Sequence, residues 1–369
     1  MVSELSLSKN VCVIGAGPSG LVAARELRKE GHRVVVLEQK HDVGGQWLYE
    51  PNVEKEDCLG RNKFLEVHSS IYESLRLVSP REIMGYTDFP FLVKKGMDTW
   101  KRKQMHSHIY RVPEPFRNEV VVVVGNSLSG QDISMELVQV AKEVHLSAKS
   151  LEITPGLSKV ISNRENLHLR SQIEFLEEDG RVVFADGSQI IADTILYCTG
   201  YTYTFPFLDT KGIVSVEDGR VGPLYEHTFP PSLAPSLSFI GIPRKIIGFP
   251  FFESQAKWIA QLLSGKRRLP SWDEMILAIK EFYQSRDASA TPKHNTHDIA
   301  DFEYCDRYAD HVGFPHLEEW RKQLCISALV NADANLETYR DSWDDHDLLQ
   351  EALQSPHFTR PLGVQDFTV

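Results

Sequence analysis

The sequence contains few cysteines, and their spacing argues against several kinds of site. Five of its 369 residues are cysteines, an odd number, and no two of them stand at C-x-x-C spacing. A disulfide framework, a zinc ribbon and a redox dithiol all depend on such pairs, so none of them is indicated. Reduced thiols are the simplest interpretation, and they favour a cytoplasmic location.

The sequence also lacks a basic surplus and a long apolar run. Lys and Arg number 40 against 51 Asp and Glu, which gives a formal net charge of -11. Without a surplus of cations to neutralise phosphates, we expect no nucleic-acid partner, although a local basic patch can still hold a small phosphate ligand. Residues 120–124 form an apolar run of strand length, and residues 1–9 are polar and too short for a secretory signal. We therefore expect no membrane partner.

What the sequence does contain is a strand–turn–helix–strand unit that occurs twice. The first unit extends over residues 10–38 and ends in the apolar strand Arg33–Leu37, and the second extends over residues 119–149. In the second, we expect strands at 120–124 and 144–147 and a helix over 131–142. Strand–helix–strand alternation implies parallel pairing, so the sequence predicts an α/β protein with two Rossmann-like units.

The chain changes character after the second unit. We expect strands at 166–170, 181–184 and 194–197, with a hairpin turn at Asp186-Gly187. From Ser271 onward the sequence is acidic and has apolar residues at helical spacing over 272–283 and 317–329, which predicts a helical C-terminal region.

The first unit has a glycine turn in the position where a dinucleotide binds. The sequence from Ile14 to Gly20 follows a strand and opens a helix, and it has the pattern G-x-G-x-x-G. The first glycine permits a tight turn, the second lets the backbone approach a diphosphate, and the third lets helix and strand pack closely. The start of the helix then offers free N–H groups to the anion. The predicted cofactor-binding residues here are Gly15, Gly17, Pro18, Ser19, Gly20, Glu38 and Gln39.

The nature of this first nucleotide is indicated by an acid. Glu38 ends the second strand, where a carboxylate accepts hydrogen bonds from a ribose diol and repels a 2′-phosphate. The site is therefore expected to take FAD or NAD rather than NADP. In two-domain flavoproteins a glycine pair like Gly44-Gly45 passes close to the flavin, so Gly45, Gln46 and Trp47 are further candidates. The alternative for these residues is an ordinary turn with a buried tryptophan.

The second unit has a similar turn with different charges. In the sequence from Gly125 to Gly130 a serine replaces the middle glycine, and its small side chain still allows a diphosphate to approach. No acid ends the next strand, and Lys149 stands there with neighbouring hydroxyls, which favours NADPH over NADH. The alternative is that Lys149 is a solvated surface charge. The predicted cofactor-binding residues are Gly125, Asn126, Ser127, Ser129, Gly130 and Lys149.

Several motifs in order along the chain resemble those of the flavin-containing monooxygenases, especially their plant S-oxygenating, glucosinolate S-oxygenase-like branch. The family's linker motif F-x-G-x-x-x-H-x-x-x-Y is matched loosely over residues 100–110, where His106 and Tyr110 agree while Trp100 and Arg102 replace Phe and Gly. A strand ending in a Thr-Gly turn is similar to the family's late motif, and residues 249–258 look like its closing FAD segment. The resemblance adds Thr199, Gly200 and Gln255 to the cofactor-binding candidates.

The resemblance implies an architecture and an activity. The NADPH-binding domain, 98–203, would be inserted in an FAD-binding domain formed by 1–97 and 204–369. NADPH would reduce FAD, and the flavin C4a-hydroperoxide formed with O2 would oxygenate a soft sulfur or nitrogen atom of a small molecule. The protein would supply orientation and exclusion of water. We find no nucleophile triad, so the catalytic residues stay unknown.

The chain departs from the family pattern at two places. Leu77 and Val78 replace a Thr-Asn pair whose asparagine is thought to orient flavin and nicotinamide. In addition, 110 positions separate Gly15 from Gly125, clearly fewer than in the family. We therefore hypothesise that an internal segment is missing near Gly96–Met97, and the alternative function is a truncated, catalytically impaired nucleotide-binding paralogue.

Histidines offer weaker signals. His106 and His108 can share one strand face, but a third metal ligand at suitable spacing is not evident, so we expect no metal. His294 and His297 lie in a polar stretch and are expected to be solvated.

Overall fold

The computed structural model describes residues 8–53, 69–76, 99–341 and 346–354. Leu77, Val78 and the Gly96–Met97 junction lie outside these residues. Within them, the first unit consists of strand β1 (Asn10–Ile14), helix α1 (Pro18–Lys29) and strand β2 (Arg33–Leu37). The two strands pair in parallel, with Asn10 opposite Arg33 and Ile14 opposite Leu37. The predicted strand–turn–helix–strand unit is confirmed.

The second unit is a five-stranded sheet in which all strands are parallel. It contains β3 (Lys103–His106), β4 (Val120–Val124), α2 (Leu128–Leu137), β5 (Glu143–Ser147), α3 (Pro155–Asn163) and β6 (Leu167–Arg170). Strand β10 (Thr194–Tyr197) completes the sheet, in the order β3-β10-β4-β5-β6. Strand β4 is buried on both faces, which is why its sequence is an unbroken apolar run. The strands expected at 120–124 and 194–197 are confirmed.

Helix α2 differs from the expectation of a helix over 131–142. It begins earlier, after the N-cap residue Ser127, and it ends earlier, at Leu137. The early end has a tertiary cause, because the backbone of the following residues bonds to the segment before β4. The carbonyl of Val140 accepts from the amide of Asn118, and the amide of Lys142 donates to the carbonyl of Glu119, at 3.0 and 2.9 Å.

A small antiparallel sheet follows the second unit. It consists of β7 (Ile173–Leu176), β8 (Arg181–Phe184) and β9 (Gln189–Ile191). Gly187 has φ +81° between the last two strands, which confirms the predicted hairpin turn. The apolar face of this sheet packs on the parallel sheet around Val122, Ile195 and Phe184.

The chain then returns to the first unit. It forms β11 (Ser215–Glu217), β12 (Arg220–Gly222), α4 (Gly248–Leu263), α5 (Trp272–Ala288), α6 (Phe302–Val312), α7 (Glu319–Ala334) and α8 (His346–Gln354). Helix α4 packs along α1, and Leu27 of α1 shares a buried cluster with Phe252 and Trp258 of α4. The fold predicted from the sequence, with the second Rossmann-like unit inserted in the first and a helical C-terminal region, is confirmed.

The C-terminal helices also contact the second unit. Helix α7 packs on α3, and a Cβ at Gly156 of α3 would lie 2.8 Å from the carbonyl oxygen of Asp333. Beyond α7, Tyr339 is buried in the core of the second unit, and Arg340 donates to both carboxylate oxygens of Asp132 on α2, at 2.8 and 3.1 Å. None of the described helices is both long enough and apolar enough to cross a membrane.

Candidate nucleotide sites

The first glycine turn forms a sharp corner between β1 and α1. Gly15 has φ +96°, a conformation that favours glycine, and its amide donates to the carbonyl of Leu37 at 2.7 Å. Helix α1 begins at Pro18, and its N-cap is Gly17, which brings no side chain to cap the first amides. A diphosphate can therefore approach the start of this helix along its backbone.

Close backbone packing explains why glycines are needed here. A Cβ at Gly20 would lie 1.9 Å from the carbonyl oxygen of Gly15, and a Cβ at Gly45 would lie 2.9 Å from the Cα of Gly17. The Gly44 amide donates to the carbonyl of Ala16 at 2.9 Å, so the 3-10 helix Gly45–Trp47 rests directly on the corner. The glycine pair thus lies where a ligand of the corner would pass.

The structure places Glu38 and Trp47 near the corner. One carboxylate oxygen of Glu38 accepts from the amide of Ala16 at 2.6 Å, and the other accepts from the amide of Lys40 at 2.9 Å. These two bonds orient the carboxylate at the end of β2. Trp47 is 38% exposed, and its ring lies 6.5 Å from that of Phe249, so the alternative of a buried tryptophan does not hold.

Gln255 reaches the corner through one intermediate residue. A Cβ at Gly241 would lie 2.8 Å from the hydroxyl oxygen of Ser19 in the first turn of α1. The side-chain oxygen of Gln255 accepts from the Gly241 amide at 3.1 Å, and its nitrogen donates to the hydroxyl of Thr228 at 2.8 Å. The buried Gln255 side chain therefore fixes the loop that abuts Ser19.

The second glycine turn has the same geometry between β4 and α2. Gly125 has φ +116°, and a Cβ there would lie 2.4 Å from the carbonyl oxygen of Cys198. A Cβ at Gly130 would lie 1.7 Å from the carbonyl oxygen of Gly125. Ser127 is the N-cap of α2 and its side chain makes no capping hydrogen bond, and both Ser127 and Ser129 are exposed.

Asn126 and Lys149 flank this second corner. The side-chain oxygen of Asn126 accepts from Gln131 at 3.1 Å, which fixes the amide beside the turn. Lys149 is exposed just after β5. Burial, then the charges of Arg244 and Lys149, lower the pKa of His294. The expectation of a solvated His294 is therefore only partly met, since this residue is half-buried and senses the charge of Lys149.

The expectation of a solvated His297 is wrong. The residue is 1% exposed rather than solvated, because its Nε2 accepts from the amide of Val221 at 3.0 Å and its Nδ1 lies 2.8 Å from Nδ1 of His227. Burial lowers the pKa of both histidines, to about 3 for His227. The polar residues next to His297 in the sequence do not indicate these partners, because Val221 and His227 are distant along the chain.

The Thr-Gly turn lies at the carboxyl end of the parallel sheet, beside the second corner. Gly200 has φ +86°, and Thr199 follows the strand that pairs with β4. The Thr199 hydroxyl oxygen is buried and has no hydrogen-bond partner among the described residues. Burial raises the pKa of the neighbouring Cys198 thiol to about 12, so this cysteine is a neutral core residue.

The linker motif has a structural explanation for its departures. Trp100 is buried against the antiparallel sheet, and Arg102 points outward to donate to the carbonyls of Ala192 and Asp179, at 2.9 and 3.0 Å. The rings of His106 and His108 pack edge-on against Tyr201, with centroids 5.2 and 6.1 Å away. The linker is thereby joined to the strand end that carries Thr199.

Three potential metal ligands do meet elsewhere in the described part of the chain. Glu143, His145 and His168 offer ligand atoms within 4.8 Å of one another. However, Nε2 of His145 lies 3.1 Å from Glu143, and its Nδ1 accepts from Arg170 at 3.2 Å. Because both ring nitrogens already have partners and one partner is a cation, we interpret the group as a hydrogen-bond network.

Comparison with known proteins identifies the family. The model described as Flavin-binding monooxygenase-like matches residues 92–163 and 157–317, and an NAD(P)-binding Rossmann-like domain matches 13–61. The Arabidopsis thaliana protein Flavin-containing monooxygenase FMO GS-OX-like 9 is 60% identical, with 96% of this chain and 97% of that protein covered. The chain belongs to the flavin-containing monooxygenase family. Its cofactors are therefore FAD and NADPH, and it is a monooxygenase, as the sequence predicted.

A solved structure supports the same assignment. S-allyl-L-cysteine S-oxygenase from Allium sativum is 38% identical and has a TM-score of 0.88, with 96% of this chain and 100% of that chain covered. A second A. thaliana relative, Flavin-containing monooxygenase FMO GS-OX-like 8, is 59% identical over 96% of both proteins.

The length of the alignment with the GS-OX-like 9 protein is informative in itself. It extends over 446 positions, whereas the whole chain has 369 residues. Because 446 exceeds 369, at least 77 of these positions hold no residue of this chain.

Proposed function

We propose that this flavin-containing monooxygenase uses NADPH and O2 to oxygenate a soft sulfur or nitrogen atom of a small molecule. The observation that carries the proposal is the pair of glycine corners, at Gly15 and Gly125, each of which leads into a helix. The name of the S-oxygenase from Allium sativum favours sulfur over nitrogen as the oxygenated atom.

In this proposal the first corner holds FAD. A diphosphate would accept hydrogen bonds from the first amides of α1, and the oriented carboxylate of Glu38 would accept from the ribose hydroxyls. The residues that we assign to FAD are Gly15, Gly17, Pro18, Ser19, Gly20, Glu38, Gln39, Gly45, Gln46, Trp47 and Gln255. FAD, when bound, supplies electron transfer from the nicotinamide and the oxygen-transfer chemistry.

The second corner would hold NADPH. The exposed hydroxyls of Ser127 and Ser129 can donate to its diphosphate, and the ammonium of Lys149 can pair with its 2′-phosphate. The buried hydroxyl of Thr199 needs a partner, which a ligand at the strand end would provide. The residues that we assign to this side are Gly125, Asn126, Ser127, Ser129, Gly130, Lys149, Thr199 and Gly200. We propose 98–203 as the NADPH-binding domain, and 1–97 with 204–369 as the FAD-binding domain.

The function can be tested by following oxygen into a product. The purified chain is supplied with FAD, NADPH, isotopically labelled O2 and S-allyl-L-cysteine as a thioether probe, and trimethylamine is used as a nitrogen probe. We expect one labelled oxygen atom in the sulfoxide for each NADPH consumed. NADPH consumption with unlabelled product, or with hydrogen peroxide as the product, would contradict oxygen transfer by this chain.

A truncated, catalytically impaired paralogue is the second candidate, and two observations favour it. At least 77 aligned positions hold no residue of this chain. In addition, Ile14, Val35 and Leu37 of the first unit are 55%, 60% and 54% exposed, which is unusual for large apolar residues of a Rossmann strand pair. Insertion of the corresponding segment of the GS-OX-like 9 protein between Gly96 and Met97 is expected to raise turnover if this candidate is right. Equal turnover of both forms would exclude it.

A further inference from the structure

The guanidinium of Arg111 lies at a junction between the two nucleotide corners. The residue is 7% exposed, although it carries a full charge. Its Nε donates to the carbonyl of Glu50 at 2.6 Å, and one terminal nitrogen donates to the carbonyl of Ser69 at 3.1 Å. The other terminal nitrogen donates to the carbonyls of His108 and Tyr110, at 2.7 and 2.8 Å. One side chain therefore joins three separate stretches of backbone.

Two of these stretches lead to the first corner. The hydroxyl of Ser69, whose carbonyl accepts from Arg111, donates to the carbonyl of Gln46 at 2.9 Å. Gln46 belongs to the 3-10 helix Gly45–Trp47, and Glu50 follows that helix. The helix rests on the corner through the hydrogen bond from the Gly44 amide to the Ala16 carbonyl. Ser69 thus holds this segment at Gln46, and Arg111 holds it at Glu50.

The third stretch leads to the second corner. His108 and Tyr110 follow strand β3, which pairs with β10, and the rings of His106 and His108 pack on Tyr201 just beyond Thr199-Gly200. The carbonyl of Arg111 itself accepts from the amide of Glu73 at 2.9 Å, and this bond fixes the backbone of Arg111. The linker therefore connects Arg111 to the carboxyl end of the parallel sheet.

We propose that Arg111 is a positioning residue that sets the distance between the two nucleotide sites. A guanidinium offers five N–H donors in a rigid planar fork, so it can hold four carbonyls at once, whereas the ammonium of lysine has three donors on a flexible stem. Hydride transfer between two bound nucleotides is sensitive to displacements of about 1 Å, which cost roughly a hundredfold in rate. Because its guanidinium donates to backbone carbonyls, Arg111 acts on the rate of flavin reduction through backbone geometry.

The test uses the full chain with Arg111→Lys, and with Arg117→Lys as the control at an exposed arginine slightly further along the chain. It rests on the proposed function, so two measurements are made. The first is the rate constant of FAD reduction at saturating NADPH without oxygen, together with the affinities for both nucleotides. The second is hydrogen exchange of backbone amides over 46–50 and 106–110 in the absence of any nucleotide.

We expect Arg111→Lys to slow FAD reduction by about tenfold or more, with both affinities within about threefold of the parent values, and to speed exchange in both segments. Parent-like reduction, or equal losses of rate and affinity, would overturn a positioning role. If NADPH does not reduce FAD bound to the parent chain, the proposed function fails. Hydrogen exchange then tests the role of Arg111 by itself, and unchanged protection of both segments in Arg111→Lys would overturn that role. If Arg111→Lys does not fold, Arg111→Gln, which keeps two donors, replaces it.

Discussion

Replacement of Gly20 by alanine tests the first corner at its closest backbone contact. A Cβ at this position would lie 1.9 Å from the carbonyl oxygen of Gly15 and 3.0 Å from its carbonyl carbon. Non-bonded heavy atoms normally stay about 3.5 Å apart, so α1 must move away from the corner by roughly 1.5 Å. The oxygen and carbon atoms of Gly15 that the Cβ would meet belong to the backbone, so no rotamer change can relieve the contact.

The magnitude follows from two opposing terms. Overpacking of this kind costs about 3 kcal/mol, and the better helix propensity of alanine returns about 1 kcal/mol. We therefore expect Gly20→Ala to lower the free energy of unfolding by about 2 kcal/mol. A displaced helix start also loses at least one charge-assisted hydrogen bond to a diphosphate, so FAD affinity should fall by about tenfold or more.

The assays are urea unfolding and titration with FAD, followed by the quenching of flavin fluorescence. Gly31→Ala is the matched control, because Gly31 has φ +83° but nothing lies within 4 Å of its added Cβ. It should cost about 1 kcal/mol from backbone strain and leave FAD affinity unchanged. Parent-like FAD affinity in Gly20→Ala would refute the assignment of the diphosphate to this corner.

Three further predictions concern other parts of the molecule. Lys149→Ala should raise the KM for NADPH by about tenfold with little change in the KM for NADH. The control Lys142→Ala, at another exposed lysine, should change neither KM. Equal effects of Lys149→Ala on both nucleotides would remove Lys149 from the 2′-phosphate site. The buried hydroxyl of Tyr110 donates to Glu136 at 2.6 Å, so Tyr110→Phe should lower the free energy of unfolding by about 2 kcal/mol, and an unchanged urea midpoint would contradict this. Burial lowers the pKa of His106 from 6.5 to about 4. Because the unfolded chain takes up the proton first, the stability contributed by neutral His106 is present above pH 6.5 and is lost as the pH falls toward 4. Between pH 7 and pH 5 the parent should therefore lose about 2 kcal/mol more unfolding free energy than His106→Asn, and equal losses would show that folding does not lower the pKa of His106.

Local rules were sufficient to predict the two corners from the sequence. Gly15 and Gly125 both have positive φ angles, and a Cβ at the last glycine of each pattern would collide with the carbonyl oxygen of the first, as the glycine pattern predicts. The strand bounds of β2, β4, β8 and β10 were predicted without error, since each is an apolar run with clear turn signals.

Features that depend on distant residues were not accessible in this way. Helix α2 ends at Leu137 because the following backbone bonds to residues 118 and 119. His297 is buried by Val221 and His227, and a polar neighbourhood in sequence gives no sign of this. Arg111 follows directly after the linker motif, but the four carbonyls that it holds become apparent only in three dimensions.

We propose that one chain holds both nucleotides close enough for hydride transfer. The most direct test of this proposal is the visible spectrum of the purified, FAD-supplemented protein as NADPH is added without oxygen. We predict one tightly bound FAD for each chain, whose yellow absorption bleaches completely with one equivalent of NADPH. A protein that binds no FAD, or one whose bound FAD keeps its colour in excess NADPH, would contradict hydride transfer between the two sites.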